Sequence, residues 1–433
     1  MNEDTVRDGH AQRVVLVGLR LHDEREAAEE PLAELERLAA TAGGTVVGRA
    51  FQRRHRPDSK YFIGRGKAEE VAELARREDA HLLLFDNDLT PAQERNLEKI
   101  TGCSVVDRSR LILDIFALRA RTRQARLQVE LAQLEYTRSR LKRMWTHLER
   151  MEGAIGTRGP GEKQIEEDRR LVDRRIQHLR RSLGVEERRR ETRSAARSEY
   201  FKISLVGYTN AGKSTLLHAL TGARAFVEDK LFATLDTQTR VWVVPGNQRV
   251  FLSDTVGFIR DLPHHLVASF HSTLAEATEA DLLLHVVDAA SPDAEEHIRV
   301  VEDVLHEIRA EAPRLLVLNK VDAIDDRMRV AALVTAHPTA LQVSARTGHG
   351  LEVLGQRVSE TVQHSFVLVA ARVPAGAGRL LALFAEHGNV LEREYDGDEV
   401  LVRARVARRD AVRIHEEMRR LGLLQPEAAA IDE

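Results

Sequence analysis

The feature that most constrains this chain is a glycine-rich run that follows an apolar strand at residues 201–206 and precedes a helical pattern. The run matches the spacing G-x-x-x-x-G-K-[ST] of loops that bind phosphate groups. Its glycines permit backbone angles that turn N–H groups inward, and the helix adds the positive end of its dipole. The predicted loop and the start of its helix are Gly207, Tyr208, Thr209, Asn210, Ala211, Gly212, Lys213, Ser214 and Thr215.

Two side chains of this loop have expected roles that follow from their chemistry. Lys213 is expected to neutralise the β- and γ-phosphates of a nucleotide, and the Ser214 hydroxyl is expected to ligate a magnesium ion. The loop alone does not select a base, because ATPases and kinases carry the same spacing.

A second motif, after a predicted strand at 250–252, supplies contacts to the metal and the last phosphate. It consists of Asp254, Thr255, Val256 and Gly257. Asp254 can hold a water bound to magnesium, and the Gly257 N–H can sense the γ-phosphate.

The base is indicated by two motifs nearer the C-terminus. They are Asn319, Lys320, Val321 and Asp322 after strand 315–318, and Ser344, Ala345 and Arg346 after strand 340–343. The Asp322 carboxylate can accept hydrogen bonds from guanine N1–H and N2–H₂, donors that adenine lacks in that arrangement. A backbone N–H of the last motif can reach guanine O6. In this order the four motifs predict a P-loop GTPase with GTP or GDP as ligand and Mg²⁺ as cofactor.

A further magnesium ligand is expected between the loop and Asp254, where three threonines compete. Thr239 begins a predicted strand over 239–244 and is read as structural, and Thr234 is favoured over Thr237 because it lies in the loop before that strand. The predicted switch segment around it comprises Phe232, Ala233, Thr234, Leu235 and Asp236.

Position 258 carries phenylalanine where many signalling GTPases have the glutamine that orients the attacking water. Phe258 cannot polarise water, so we expect slow hydrolysis that needs a partner or a potassium ion. Asn210 is a candidate K⁺ ligand or a loop-stabilising residue, and Arg260 is a candidate internal arginine finger or a solvated residue. The expected catalytic contributions come from Lys213, Thr234 and Gly257.

The apolar pattern divides the 433 residues into four segments. Residues 1–115 alternate strand and helix patterns and predict a small α/β domain. Residues 116–198 carry leucines at helical spacing and predict an antiparallel coiled-coil hairpin with a glycine-rich tip at 153–161. Residues 199–364 predict the GTP-binding domain, a mostly parallel sheet flanked by helices, and residues 365–433 a small α+β domain. The predicted fold class is therefore α/β.

Charge is distributed unevenly along the chain. Residues 119–197 contain 22 Lys and Arg against 12 Asp and Glu, although the whole chain has a net charge of −3. Such a surplus permits contacts with RNA phosphates, but a solvated charged face on both helices explains it equally well.

Composition favours a cytoplasmic protein. The single cysteine, Cys103, excludes an internal disulfide and fits a reducing compartment. The polar start of the chain lacks a secretory signal, and apolar runs such as 282–284 are far shorter than the ~20 residues of a membrane span.

With these features in place, the chain resembles the HflX family of ribosome-associated GTPases from about residue 18 to at least 361. The motifs that carry the resemblance lie at 58–64, 156–162, 232–236 and 254–258. The resemblance implies that Thr234 ligates magnesium and that an apolar residue is usual at position 258. The chain departs from the family at 237–239, where Thr-Gln-Thr replaces Pro-Thr-Thr, and this change is expected to loosen the switch.

The resemblance also implies partners. Family members bind the large ribosomal subunit and its RNA, and some split stalled ribosomes, so we expect a GTPase that is slow alone and stimulated by the ribosome. RNA contacts are then assigned to the tip residues Gly156, Thr157, Arg158, Gly159, Pro160 and Gly161. The family has also been credited with ATP binding at the N-terminal domain and with RNA unwinding. No second phosphate loop is evident, and residues 64–67 read better as a turn before a helix.

Two other functions fit the same features. An assembly factor that uses GTP as a timer on large-subunit precursors would need the same basic hairpin. Alternatively, the apolar seam of the hairpin could pair with a second copy of the chain, in a protein that does not act on the ribosome. A ribosome-associated GTPase is instead expected to be a monomer off the ribosome.

Overall fold

A computed structural model describes residues 12–22, 32–151, 160–195, 200–222, 231–232, 238–260, 276–324 and 327–423. Four units follow one another along the chain, and the α/β class predicted from the sequence is confirmed. No helix within these ranges is long and apolar enough to cross a membrane.

The first unit is a parallel four-stranded sheet with helices on both faces. Its strands, in the spatial order β2-β1-β3-β4, are β1 Gln12–Leu21, β2 Gly44–Arg54, β3 Leu82–Phe85 and β4 Ser104–Val106. Its helices are α1 Ala33–Thr41, α2 Arg65–Arg77, α3 Pro91–Thr101 and α4 Arg108–Arg119. In β1, Val14 and Leu16 face α1 and α4, whereas Val15 and Val17 face α2 and α3. Because both faces of β1 are covered, its centre is an unbroken apolar run.

The second unit is a pair of long helices, α5 Arg123–Met151 and α6 Pro160–Ala195. Leu131 of α5 packs against Ile176 and Leu179 of α6, and ion pairs such as Glu135–Arg180 join the two helices across this seam. The prediction that the tip loop extends to residue 161 is wrong by two residues, because α6 already begins at Pro160. Proline suits the first helical position, since its ring presets φ and its missing N–H would have no partner there. The tip residues 152–159 lie outside the described part of the chain.

The third unit is a six-stranded sheet in the order β10-β9-β8-β5-β7-β6, in which only β6 runs antiparallel to its neighbour. The strands are β5 Phe201–Val206, β6 Gln238–Val244, β7 Gln248–Asp254, β8 Leu282–Asp288, β9 Arg314–Asn319 and β10 Leu341–Gln342. The helices are α7 Lys213–Thr221, α8 Ala294–Glu307, α9 Arg327–Ala336 and α10 Leu351–Ser365. Parallel strands end at a common edge, so the loops that follow β5, β7, β9 and β10 meet there, as in other open α/β sheets that bind ligands.

The fourth unit is a three-stranded antiparallel sheet in the order β11-β13-β12, packed against two helices. Its elements are β11 Phe366–Pro374, α11 Gly378–His387, β12 Gly388–Asp396, β13 Glu399–Ala407 and α12 Arg408–Arg420. Phe384 of α11 and Ile414 of α12 fill the core against Val402 and Ala404 of β13.

The first and third units share one hydrophobic core, which we call the interdomain core. It joins helices α1 and α4 to helix α8 and to the chain segments beside the phosphate loop and after β7. Its members include Leu35, Leu38, Ile112, Phe116, Leu231, Phe232, Val256, Phe258, Ile259, Val301 and Leu305. The N-terminal unit is therefore packed directly on segments that border the nucleotide motifs.

Candidate nucleotide-binding site

The phosphate loop is held between β5 and α7 by two glycines that no other residue could replace. Gly207 has φ 155° and Gly212 has φ 89°. A Cβ on Gly207 would lie 2.1 Å from the Val286 carbonyl oxygen, and one on Gly212 would lie 2.4 Å from the Asn319 amide nitrogen. The loop thus fits closely between β8 and the end of β9.

Lys213 and Ser214 begin α7 and point into the loop. The Lys213 ammonium donates to the carbonyl oxygens of Gly207, at 2.9 Å, and of Tyr208, at 2.8 Å. Burial lowers the pKa of Lys213 to about 8, against the opposing effect of Asp254. The Ser214 hydroxyl donates to Asp254 Oδ2 at 2.6 Å, and Asp254 is only 1% exposed. A hydroxyl and a carboxylate brought together in this way form a hard oxygen donor set that suits Mg²⁺.

Asn319, at the end of β9, connects two of the predicted motifs. Its side-chain amide donates to the Ala211 carbonyl at 2.9 Å, and its Oδ1 accepts from the Ala345 N–H at 3.0 Å. The sequence suggested that an N–H of the Ser344 motif reaches guanine O6, but in this structure the Ala345 N–H is donated to Asn319. The adjacent Lys320 has φ 63° and pairs with Asp288 at 2.8 Å.

Asp322 lies in the short 3₁₀ turn Val321–Ala323 that follows β9. Its Oδ1 accepts a hydrogen bond of 2.6 Å from the Ser344 hydroxyl, and its Oδ2 is 3.1 Å from Arg346 Nε. The Ser344 hydrogen bond is the main cause that lowers the pKa of Asp322. The group is therefore an ionised acceptor, oriented by its neighbours, which is the form that could accept hydrogen bonds from guanine.

The segment after β7 lies directly against the phosphate loop. The Phe258 N–H donates to the Gly207 carbonyl at 3.1 Å, and the Phe258 carbonyl accepts from the Thr209 N–H at 2.6 Å. Gly257 is so close that its ideal Cβ would lie 2.7 Å from Thr209 Cα and 3.1 Å from Lys213 Nζ. The backbone of Gly257 is therefore beside the lysine that is expected to bind the terminal phosphates.

Two predicted nucleotide contacts, Phe232 and Thr255, and the neighbouring Phe258 have side chains that point elsewhere. Phe258 and Phe232 are 2% and 1% exposed and belong to the interdomain core, where Phe232 stacks edge-on against Phe116 at 4.7 Å. Thr255 donates to the Leu205 carbonyl at 2.7 Å. At these positions only the backbone is available to a nucleotide.

The predicted switch threonine and its neighbours Ala233, Thr234, Leu235 and Asp236 lie outside the described residues, as does the competing Thr237. Thr239 is described, and it lies in β6 with its hydroxyl 2.9 Å from that of Ser253. Asn210 has φ 60° at the turn of the loop.

Arg260, for which the sequence offered an arginine finger or a solvated residue, belongs in this structure to a polar network between the first and third units. Its guanidinium donates to Asp86 at 3.1 Å, and its backbone N–H donates to the Tyr208 hydroxyl at 2.8 Å. Tyr208 in turn donates to Glu34 of α1, which also pairs with the buried Arg108 of α4. We call Glu34, Asp86, Arg108, Tyr208 and Arg260 the interdomain network.

No motif in the sequence predicts the interdomain network. The only signal is Arg108 itself, a charged residue three positions before the mostly apolar run 111–116, which Asp114 interrupts. A charged group in such a position requires a buried partner.

Comparisons with known proteins agree with this arrangement. Residues 29–117 match a family model described as a GTP-binding GTPase N-terminal region, 119–197 a GTP-binding GTPase middle region, and 202–320 a 50S ribosome-binding GTPase. A GTPase HflX from Escherichia coli K12 is 45% identical over 388 residues, which cover 89% of this chain and 90% of that relative. The chain belongs to the HflX family of GTPases.

A second relative agrees with this membership. A GTPase HflX from Caldanaerobacter subterraneus is 42% identical over 93% of this chain and 92% of that relative. A GTP-binding protein from the archaeon Sulfolobus solfataricus, solved in complex with GDP, is 24% identical, with a TM-score of 0.42 over 82% of this chain and 99% of that one. As a member of the HflX family, the chain binds and hydrolyses GTP, which confirms the activity predicted from the sequence.

Proposed function

We propose that this HflX GTPase acts in the cytoplasm on the large ribosomal subunit, holds ribosomal RNA with the α5–α6 hairpin, and splits or rescues stalled ribosomes. The observation that carries the proposal is a set of exposed arginines on α6 that are not needed to hold the hairpin together. The match of residues 202–320 to a 50S ribosome-binding GTPase supports the choice of partner.

Some arginines of α6 pair with acidic residues, and others do not. Arg175 pairs with Glu130 at 2.6 Å and Arg180 with Glu135 at 2.7 Å, so these two stabilise the contact with α5. Arg174 and Arg181 are exposed, and within the described ranges neither forms an ion pair. Cations left in water on a rigid arm are suited to phosphate contacts, which release counterions from RNA.

The tip of the hairpin is proposed to make the specific RNA contacts through Gly156, Thr157, Arg158, Gly159, Pro160 and Gly161. Pro160 and Gly161 belong to the first turn of α6, and the others lie outside the described residues.

At the nucleotide site, Lys213 is proposed to bind the β- and γ-phosphates and Gly257 to donate its N–H to the γ-phosphate. Mg²⁺ would be held by Ser214 and Thr234, with Asp254 acting through a water, and would neutralise the charge that develops on the phosphates. Potassium, with Asn210 as a candidate ligand, is a second proposed cation. Phe258 is buried and cannot orient the attacking water, so this contribution is assigned to the large subunit.

Replacing Ser214 by alanine should remove the effect of magnesium on GTP binding. The variant loses one ligand and the hydrogen bond that orients Asp254, so we expect affinity for GTP in Mg²⁺ to fall by roughly ten- to a hundredfold. Calorimetric titrations with Mg²⁺ and with a chelator measure this. The matched control is Ser139→Ala, an exposed serine on α5 whose hydroxyl bonds only within its own helix. Equal loss of affinity with and without Mg²⁺ would contradict the assignment.

The direct test of the proposed function is the rate of GTP hydrolysis with and without purified large ribosomal subunits. We expect an increase of at least about a hundredfold, the lower end of the contribution of one positioned general acid–base group. A rate that does not change on adding saturating subunits excludes the proposal. Small subunits serve as the control for nonspecific RNA.

Reversing the charge of the two exposed arginines, Arg174→Glu together with Arg181→Glu, should weaken binding to large subunits without affecting GTP binding. The slope of log affinity against log salt is expected to decrease by about one for each lost phosphate contact. The control carries the same charge change elsewhere, Arg357→Glu with Arg413→Glu on α10 and α12. If both pairs weaken binding equally, net charge alone is responsible and the hairpin is not the contact.

The same preparations test two alternatives. An assembly GTPase would co-sediment with precursor particles rather than with mature subunits. A dimerisation arm would give a dimer that persists in high salt and has no affinity for RNA.

A further inference from the structure

We propose that Asp107 and Arg108, adjacent residues where α4 begins, couple the nucleotide site to the α5–α6 hairpin as positioning residues. The nucleotide bound to the third unit then changes the affinity of the hairpin for RNA, and RNA changes the affinity for nucleotide by the same factor. The inference rests on the proposed function in one respect, that the hairpin is the RNA-binding element.

The first half of the coupling is the set of contacts that Arg108 makes within the interdomain network, which adjoins the nucleotide site. Arg108 is 2% exposed, and its guanidinium donates to Glu34 at 2.5 Å, to Asp86 at 2.7 Å and to the Arg260 carbonyl at 3.1 Å. Burial alone would raise the pKa of Glu34, but Arg108 and the Tyr208 hydroxyl more than offset it and hold that pKa below its ordinary value. Two carboxylates and two guanidiniums therefore form a balanced set of charges.

The interdomain network is attached to the phosphate loop and to the segment after β7, the two parts of the site that are proposed to contact the γ-phosphate. Tyr208 is the second residue of the phosphate loop, and its hydroxyl accepts the Arg260 N–H two residues after Phe258. Phe258 is itself hydrogen-bonded to Gly207 and Thr209. Any change in the position of Gly257 that accompanies the γ-phosphate must therefore be transmitted to Arg260, and through it to Arg108.

The second half is the set of hydrogen bonds that Asp107 accepts from α5 of the hairpin. The Tyr136 hydroxyl of α5 donates to the two oxygens of Asp107 at 2.9 and 3.0 Å, and Arg140 donates to Asp107 at 3.1 Å. Arg140 also donates to the Leu89 carbonyl at 3.1 Å and pairs with Glu94 of α3. Asp107 is 4% exposed and caps α4 by accepting the Arg110 N–H at 3.0 Å.

Both sets of contacts are made at the start of the same helix, α4. Asp107 and Arg108 are consecutive, and the helix that they begin is buried almost throughout, with Ile112, Ile115 and Phe116 fully enclosed. A buried ion pair cannot exchange partners without leaving a charge uncompensated, so these contacts persist or break as a whole. Displacement at Arg108 is therefore passed to Asp107, and from there to Tyr136 and Arg140.

The test compares the wild-type protein with Asp107→Asn and Tyr136→Phe. Asparagine keeps the helix cap, and phenylalanine keeps the ring, so both variants are expected to fold. Affinity for large subunits is measured with GDP and with a non-hydrolysable GTP analogue. Amide hydrogen exchange of residues 123–141 is measured with the same two nucleotides and no ribosome. Ser139→Ala is the matched control on the same helix.

For the wild type and for Ser139→Ala we expect the two nucleotides to differ in subunit affinity by at least about tenfold, and to give different exchange in α5. In Asp107→Asn and Tyr136→Phe the ratio of the two subunit affinities, one for each nucleotide, should fall toward one. The affinity for each nucleotide in the absence of subunits should change by less than about threefold. By reciprocity, the effect of subunits on nucleotide affinity should fall equally.

Variants that retain the wild-type ratio and the wild-type exchange difference overturn the inference. So does a wild-type protein whose α5 exchange is the same with both nucleotides. If the wild type fails to bind large subunits but α5 still responds to nucleotide in a manner that Asp107→Asn removes, the proposed function is wrong and the coupling stands.

Discussion

Replacing Gly257 by alanine is expected to slow GTP hydrolysis by about a hundredfold or more while changing the affinity for GDP by only a few-fold. The new Cβ would lie 2.7 Å from Thr209 Cα, a distance that Cβ atoms do not adopt. Thr209 cannot yield, because its N–H is bound to the Phe258 carbonyl at 2.6 Å. The segment after β7 must therefore move away from Lys213. A displacement of about 1 Å at a reacting group can cost a hundredfold in rate.

GDP is affected less, because it has no γ-phosphate for the Gly257 N–H to contact. Single-turnover hydrolysis and titrations with GDP and with a non-hydrolysable GTP analogue measure the two effects separately. Gly66→Ala is the matched control, since a Cβ at that position in the first turn of α2 has no neighbour within 4 Å. An alanine variant at 257 that hydrolyses GTP at the wild-type rate would show that the close packing seen here is absent when GTP is bound.

The local parts of this site could be predicted from the sequence because each depends on neighbouring residues. The strand predicted at 201–206 is the observed β5, and each of the four motifs begins at or just after the end of a strand. A phosphate loop needs its two glycines, its lysine and its hydroxyl at fixed spacing, so the pattern determines the local geometry. The tip loop was less well bounded, because a proline next to glycines marks a turn and the start of a helix equally well.

Helix α4 was not predicted, and the reason is physical. A helix is recognised by apolar residues on one face, but Leu111, Ile112, Leu113, Ile115 and Phe116 of α4 are buried on all sides. Such a run lacks the helical period that amphipathic helices show. The missed helix is also the one that carries Asp107 and Arg108.

Side-chain contacts between residues far apart in the sequence could not be predicted, for a different reason. Tyr208 and Glu34 are separated by 174 residues, and Arg108 and Arg260 by 152. Their side chains meet only because two units share a core, and nothing in the local pattern distinguishes a paired surface residue from a solvated one. Phe258 illustrates the same limit: the sequence shows that the glutamine is missing, and the structure shows that the ring instead fills the interdomain core.

Asp322→Asn is the second large expected effect, a change in nucleotide preference. Ser344 donates to Oδ1 of Asp322, so the asparagine should keep its oxygen there and place its NH₂ at the position of Oδ2. That donor would face the N2–H₂ donor of guanine, and the loss of a charged hydrogen bond together with this contact between two donors should lower GTP affinity by about a thousandfold. Loss of the Arg346 pair adds little, because Arg346 is 81% exposed.

The same variant should bind xanthosine triphosphate more tightly than the wild type does, because xanthine presents a carbonyl where guanine has its amino group. Competition between the two triphosphates, each against a fluorescent analogue, measures the reversal. Asp303→Asn, an exposed aspartate on α8, is the control for the charge change. If GTP affinity falls and xanthosine triphosphate gains nothing, the substitution has disturbed the loop rather than the recognition of the base. If neither affinity changes, Asp322 does not read the base, and the guanine preference of this GTPase must be assigned to other groups.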